Sequence, residues 1–241
     1  PWRMVWLLAG LAALAALALV LRGPPAQGYR IDAPRWTGTD TLVGLVGLFG
    51  LVVVPPRFDD GWVLTTVRQY SDLGFFSNYY SIDAVAQPQG FWWTWIERLW
   101  LTPLGTPGFL LRLPTVLILV GTWWFLRRHV LSRLELDGAA MWAGSTVACL
   151  GLLGLQVTIR PEPLVALLVA AAIAVVLRYA HTREPFLLVV LAGLSALGLS
   201  AHQTGWAVVT ASASCLPWAW TWLRTSRAWV SAVAILVTAL S

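Results

Sequence analysis

Charge is scarce in this chain, and lysine is absent from it. Only 11% of the 241 residues are charged, whereas soluble domains carry about 25%. A shortfall this large excludes an ordinary water-facing surface. All sixteen basic residues are arginines, and they sit between apolar runs, as the topology signals of membrane proteins do. The net charge of +5 therefore does not indicate a nucleic-acid partner.

Cysteine is nearly absent as well. Cys149 and Cys215 both lie inside apolar runs, so we expect small, buried, hydrophobic side chains there. No spacing of His, Cys and Asp resembles a dedicated metal site, and the residues alone predict no cofactor. The adjacent carboxylates of Asp59 and Asp60 could still recruit a divalent cation such as Ca²⁺, Mg²⁺ or Mn²⁺.

Apolar residues make up 58% of the chain, and they fall into eight runs. Several approach the ~20 residues that cross a bilayer as a helix, and none shows the alternation of a barrel strand. We therefore predict an all-α fold, a polytopic bundle with about eight transmembrane spans or part-spans. The eight runs are Met4–Leu21, Thr41–Val54, Gly108–Leu126, Ala139–Ile159, Leu164–Leu177, Phe186–Ala201, Trp206–Leu223 and Ala228–Ser241.

The arginines give this bundle an orientation. With the loop at 22–40 placed inside, the inside segments hold ten arginines and the outside segments six, as the positive-inside rule requires. The inside arginines are 22, 30, 35, 127, 128, 133, 178, 183, 224 and 227. Pro1 is not an initiating residue, and the last run has no charged stop. We therefore expect a piece of a larger plasma-membrane protein, cut at both ends.

Three segments follow from this scheme. Residues 1–54 hold the first two spans and a cytoplasmic loop, and residues 108–241 hold the remaining spans, truncated at the C-terminus. Between them, residues 55–107 form a long extracytoplasmic loop rich in aromatic residues, which favour the membrane interface. Gly61–Leu73 and Phe91–Leu101 are predicted to be helices lying along that interface.

Polar residues from distant parts of the chain converge on the outer face. Asp59 and Asp60 open the long loop, Arg160 and Glu162 lie in one short outer turn, and His202 lies in the next one. One aspartate could act as a base while the other caps the helix that follows, or both could only cap. Arg160 could pair with Glu162 or hold a phosphate, and His202 could be a local hydrogen bonder or a site residue.

Further residues on this face suit a sugar ligand. Aromatic rings and amide groups bind sugars by stacking and hydrogen bonding. Candidates for substrate binding are therefore Asn78, Tyr79, Trp92 and Gln203, in addition to Glu162 and His202. The aromatic residues could instead only anchor the loop at the interface.

Several short motifs, in this order, resemble the actinobacterial Emb arabinosyltransferases. They are Asp59-Asp-Gly-Trp62, Gly74-Phe-Phe-Ser-Asn-Tyr-Tyr80, Arg112-Leu-Pro114, Trp123-Trp124, Arg127-Arg-His-Val-Leu-Ser-Arg-Leu134, Arg160-Pro-Glu-Pro163 and Gln203-Thr-Gly205. The likeness runs from about residue 55 to 205, and the first fifty residues match in hydropathy only. The chain departs from the family at Ala86-Gln87-Pro88, where members carry an acidic residue.

The resemblance implies a membrane glycosyltransferase of the C type. Such an enzyme would move arabinofuranose from decaprenyl-phosphate-arabinose to the arabinan of arabinogalactan or lipoarabinomannan, by a single inverting displacement on the extracytoplasmic face. It would work as a homo- or heterodimer and would be an ethambutol target. By position, Asp59 resembles the family's catalytic aspartate, Asp60 its neighbour and Arg160 the arginine near the lipid phosphate.

Three other functions stay open. The chain could belong to another transferase that uses polyprenyl-phosphate sugars, such as a mannosyltransferase. It could be a transporter or flippase, although transporters place ionisable residues in mid-membrane. It could also be a sugar-binding subunit without catalytic activity.

Overall fold

A computed structural model describes residues 36–53, 58–75, 91–104, 108–133, 137–155, 159–217 and 219–220. Within these ranges the chain folds into α-helices joined by turns, and no strand occurs. The helices are α1 Gly38–Val53, α2 Phe58–Leu73, α3 Phe91–Leu104, α4 Gly108–His129, α5 Gly138–Leu155, α6 Glu162–Thr182, α7 Phe186–Ala201 and α8 Trp206–Ala213. The predicted all-α class is confirmed for this part of the chain.

Two of these helical segments are long and apolar enough to cross a bilayer. They are Phe109–Arg133 and Glu162–Thr182, with 25 and 21 residues. Two more, α1 and α7, are apolar but shorter. The predicted runs Met4–Leu21 and Ala228–Ser241 lie outside the described residues.

Prolines mark the starts of α6 and α7. Pro161 and Pro185 occupy the N-cap positions of these helices, and Pro163 lies in the first turn of α6. Proline is tolerated there because the first turn of a helix has no intrahelical partner for its N–H groups. The observed bounds of α7 are those predicted from its apolar run.

Two predicted boundaries are wrong. The run Trp206–Leu223 was predicted to be one span, whereas its helix, α8, ends at Ala213 and a turn follows. The helix expected at Gly61–Leu73 begins at Phe58, so Asp59 and Asp60 lie inside its first turn and neither precedes the helix as its cap. Carboxylates in a first turn are still favoured, because they face the positive end of the helix dipole. The helix ends where Gly74 adopts a positive φ of 71° and its N–H donates to the carbonyl of Tyr70 at 2.9 Å. Glycine suits this left-handed position because it has no Cβ.

The largest apolar core joins α3, α6, α7 and α8. The side chains of Leu168, Val175, Leu187 and Leu194 are almost fully buried in it, and Trp93 enters it from α3. A second core lies between α1, α4 and α5 and contains the predicted buried residue Cys149. Both cysteines are free thiols in buried positions, as predicted.

A buried polar cluster joins the start of α1 to the end of α4. The Asp40 carboxylate forms an ion pair with Arg127 and accepts a hydrogen bond from Trp123 Nε1 at 3.1 Å. It also accepts the backbone N–H of Thr37 at 2.9 Å, which fixes the first turn of α1. Because Asp40 and Arg127 are almost fully buried, each needs the other to offset its loss of hydration. The pair therefore holds these two helix ends at one end of the bundle.

Candidate functional site

The Arg160 turn opens α6. Arg160 Nη2 lies 2.8 Å from Glu162 Oε1, so the two side chains form an ion pair across the turn. The side chain of Arg160 is 39% exposed, so part of the guanidinium faces outward. Glu162 Oε2 is buried and has no hydrogen-bond partner among the described residues. The turn therefore combines a partly exposed cation with a carboxylate oxygen that can still accept a hydrogen bond.

The His202 turn ends α7. His202 is in an extended conformation between α7 and a short 3₁₀ turn at Gln203–Gly205. Its Nδ1 accepts the backbone N–H of Thr204 at 3.3 Å and lies 2.9 Å from the Thr204 hydroxyl. A nitrogen that accepts an N–H carries no proton, so the neutral ring has its proton on Nε2. His202 can therefore offer an N–H donor to a ligand.

The glycine of this turn is required by close packing. Gly205 lies directly against the backbone of Gly198 in α7, where an added Cβ would overlap the Gly198 carbonyl. Its N–H donates to the carbonyl of His202 at 2.8 Å and closes the turn. The position of the His202 ring thus depends on contact between two glycines.

The two turns meet. The pKa of His202 is lowered from its ordinary value of 6.5, first by burial and then by the positive charge of Arg160, while Glu162 acts in the opposite direction. Helix α6 also contacts the 3₁₀ turn that directly follows His202. Arg160, Glu162 and His202 therefore lie near one another at one end of the α6–α7 hairpin. The lowered pKa keeps the imidazole neutral near pH 7.

A residue from α3 anchors the same turn. The indole N–H of Trp93 donates to the carbonyl of Ile159 at 3.0 Å, directly before Arg160. Trp93 is 2% exposed and Ile159 is equally buried. Farther along α3, Trp95 contacts Tyr70 of α2 edge to face, with ring centroids 5.0 Å apart. Helix α3 therefore contacts both the aspartate-bearing helix α2 and the Arg160 turn.

The structure describes the remaining predicted site residues by their backbone only or not at all. The backbones of Asp59 and Asp60 lie in the first turn of α2, that of Trp92 lies in α3 and that of Gln203 lies in the 3₁₀ turn. Their side chains are outside the described part of the structure. Asn78 and Tyr79 lie outside the described residues altogether.

Two buried residues of α3 are absent from the sequence prediction. Trp93 anchors the Arg160 turn through its hydrogen bond to Ile159. Glu97 lies one turn later on the same face of α3 and is 4% exposed. The spacing of four residues places both on one side of a helix, and an acid on an apolar face is a signal of function. Several other tryptophans lie close to these two residues in the sequence, so the pattern was not recognised there. Within the described ranges, no group of three or more His, Cys, Asp or Glu residues is arranged to hold a metal ion.

Comparison with known proteins identifies the family. The model of the family described as "Mycobacterial cell wall arabinan synthesis protein" matches residues 2–241. The chain belongs to this family. The resemblance drawn from the motifs is thereby confirmed, and it extends to the first fifty residues as well.

Relatives of this chain carry arabinosyltransferase names. The chain is 30% identical to the probable arabinosyltransferase C of Mycobacterium tuberculosis (strain ATCC 25618 / H37Rv) over 178 residues, which is 69% of the chain and 16% of that protein. It is 29% identical to the probable arabinosyltransferase C of Mycolicibacterium smegmatis, over 83% of the chain and 19% of the relative. With the probable arabinosyltransferase A of the same organism it shares 33% identity, over 65% of the chain and 15% of the relative. The matched region therefore spans less than a fifth of the length of each of these relatives.

Proposed function

We propose that the protein is an arabinosyltransferase of cell-wall synthesis that moves arabinofuranose from a polyprenyl-phosphate-arabinose donor to an arabinan acceptor. Its family membership supports the reaction class. The observation that carries the proposal is the meeting of Arg160, Glu162 and His202 at the end of one helical hairpin. A partly exposed arginine and a neutral imidazole with an N–H donor suit the phosphate of an anionic sugar donor. The buried Glu162 Oε2 has an unused acceptor position.

The proposed setting is a multi-pass bundle of the C type in the plasma membrane, with this end outside. The ten inside arginines support that orientation. Two candidate spans and two shorter apolar helices support a membrane bundle. In this arrangement the start of α6 and the end of α7 share the outer face, and the Asp40–Arg127 cluster lies at the inner face.

The proposed reaction is a single displacement at the anomeric carbon. The acceptor hydroxyl oxygen attacks from the face opposite the phosphate and forms the new glycosidic bond. Its proton passes to the carboxylate of Asp59, which acts as general base. The bond from the anomeric carbon to the phosphate oxygen breaks, and polyprenyl phosphate leaves with the electron pair. The product is inverted at the anomeric carbon.

Each polar residue of the site has a role in this scheme. Arg160 binds the donor phosphate and offsets the negative charge that grows on it as it leaves. Glu162 orients the guanidinium through Oε1 and offers Oε2 to a sugar hydroxyl. His202 donates from Nε2 to a donor oxygen. Asp60 stabilises the first turn of α2 beside Asp59 through the helix dipole.

The same proposal assigns the other partners. Asn78, Tyr79, Trp92 and Gln203 bind the sugar chain by stacking and hydrogen bonds. The protein acts as a dimer with an identical or related chain. The adjacent Asp59 and Asp60 carboxylates are the place where a divalent cation would bind.

A transfer assay tests the proposal. The intact protein receives radiolabelled polyprenyl-phosphate-arabinose and an arabinan acceptor. Asp59→Asn should lower turnover by about 10²–10⁴, as loss of a general base does, while stability changes by less than about 1 kcal/mol, the size of a charge–dipole interaction. Asp60→Asn should have the milder effect. Wild-type turnover in Asp59→Asn would remove Asp59 from the catalytic role.

The arginine is tested in the same assay. Arg160→Lys keeps the charge but loses the planar fork, so the donor KM should rise while the acceptor KM stays unchanged. A matched control is Arg68→Lys, because Arg68 is an exposed arginine of α2. Equal effects of the two substitutions would contradict phosphate binding by Arg160. Turnover with a polyprenyl-phosphate-mannose donor, but none with arabinose, would favour a related transferase instead.

A further inference from the structure

Trp93 joins two parts of the molecule that the sequence keeps apart. Its hydrogen bond to the carbonyl of Ile159 links residues 66 positions apart and is buried. The acceptor is the carbonyl of the residue directly before Arg160. Any shift of this carbonyl therefore moves the backbone from which the Arg160 side chain projects.

The turn that carries Arg160 is poor in backbone donors. Pro161 and Pro163 have no N–H group, so two residues of this short segment cannot donate a backbone hydrogen bond. On its downstream side, the Pro161 carbonyl accepts the N–H groups of Leu164 and Val165 at 3.0 and 3.1 Å, which fixes it to α6. On its upstream side, the indole N–H of Trp93 fixes the carbonyl of Ile159.

The anchor itself is buried in the core. Trp93 belongs to the apolar core that contains α6, α7 and α8 and is 2% exposed. A tryptophan packed in this way has one position for its N–H, and a buried donor needs an acceptor. The position of the Ile159 carbonyl, and with it that of the Arg160 turn, therefore depends on how α3 packs against the core.

From this arrangement we infer that Trp93 is a positioning residue for donor binding, acting through Arg160. The inference rests on the proposed role of Arg160 in holding the donor phosphate. Trp93 itself touches neither phosphate nor sugar in this scheme. It sets the place of the guanidinium, so its loss weakens recognition of the lipid phosphate and leaves the acceptor side unaffected.

Trp100 offers a matched control. It lies on the same helix, and its indole N–H likewise donates to a backbone carbonyl, that of Leu110 in α4, at 2.8 Å. Removing this bond takes a similar interaction from α3 without touching the Arg160 turn. Trp93→Phe and Trp100→Phe therefore differ in which segment loses its anchor.

The main experiment measures donor and acceptor KM in the intact enzyme with polyprenyl-phosphate-arabinose. Trp93→Phe should raise the donor KM about two- to tenfold, the range of a single hydrogen bond, with the acceptor KM unchanged. Trp100→Phe should leave the donor KM within about twofold of wild type. A fall in kcat alone, with both KM values unchanged, would mean lost active protein and would overturn the inference.

A double-mutant cycle tests the route through Arg160. In an Arg160→Gln background, Trp93→Phe should no longer change donor affinity, because the group that it positions is gone. An undiminished effect in that background would overturn the inference. The cycle is also measured as binding of radiolabelled polyprenyl phosphate alone, which needs no turnover.

Two further arms keep the result decisive. If Trp93→Phe fails to fold, benzothienylalanine replaces Trp93, since it has the shape of tryptophan with sulfur in place of the N–H. This isostere should give the same rise in donor KM, and a wild-type donor KM would refute the role of the hydrogen bond. If the effects of Trp93→Phe and Arg160→Gln on polyprenyl phosphate binding are coupled but no arabinose is transferred, the proposed function is refuted and the positioning role of Trp93 is kept. Arabinose transfer combined with additive effects of the two substitutions would keep the proposed function and refute the positioning role of Trp93.

Discussion

The contact between Gly205 and Gly198 gives the sharpest stability prediction. A Cβ added at Gly205 would overlap the Gly198 carbonyl and lie 2.6 Å from the backbone nitrogen of Leu199. Gly205 has a φ of −58°, which alanine adopts without strain, so the effect of Gly205→Ala is steric alone. Because the obstructing atoms are backbone, no side chain can rotate away to relieve the clash.

The expected size follows from these contacts. Ordinary van der Waals contact begins near 3.4 Å, so the Leu199 nitrogen alone requires a separation of about 0.8 Å, and the closer Gly198 carbonyl requires more. Overpacking of this kind costs about 1–3 kcal/mol when side chains can adapt, and a backbone clash belongs at the upper end. At about 2–4 °C per kcal/mol, a loss of about 3 kcal/mol lowers the melting temperature by about 6–12 °C. The His202 turn should shift with it, so transfer activity should fall as well.

The assay is thermal unfolding of the purified protein in detergent, with a matched glycine as control. Gly144 lies within α5, and an added Cβ there meets nothing within 4 Å. Gly144→Ala should therefore stabilise the helix by about 0.5–1 kcal/mol. Gly205→Ala with wild-type melting temperature and activity would refute the packing argument.

Three further predictions concern charge. Asp40→Ala should cost about 3–5 kcal/mol in thermal unfolding, because it leaves Arg127 buried without its carboxylate, and adding Arg127→Leu should recover most of the loss. By NMR titration, His202 should show a pKa below 6.5, which Arg160→Gln should raise. Since the unfolded state then binds more protons, the contribution of His202 to stability is complete above pH 6.5 and is lost as the pH falls. In intact cells, an impermeant thiol reagent should label a cysteine at position 77 but not one at position 132.

Each of these has an outcome that would contradict it. An Asp40→Ala protein as stable as wild type would show that the ion pair is not needed at that helix junction. A His202 pKa that does not change in Arg160→Gln would show that the charge of Arg160 does not reach the His202 ring. Labelling at position 132 but not at 77 would invert the proposed topology.

The helices of this chain could be predicted from local pattern. Apolar runs fixed the approximate extent of α1 and α4–α7, because a helix that packs in an apolar setting needs a continuous apolar stretch. Prolines marked the starts of α6 and α7. The start of α2 was predicted three residues too late, because the polar residues Asp59 and Asp60 suggested an N-cap. Carboxylates are equally favoured inside a first turn.

Sequence alone determined the helical class, the family motifs and the expectation that Arg160, Glu162 and His202 share one face. These follow from composition, from the alternation of spans and from the placement of arginines, all of which are local or additive properties of the chain. Only the tertiary structure decided that Trp93 holds the carbonyl before Arg160 and that Trp123 meets Asp40 across 83 positions. Such pairings depend on how the helices pack against one another, and the period of a single helix carries no information about which face meets which partner.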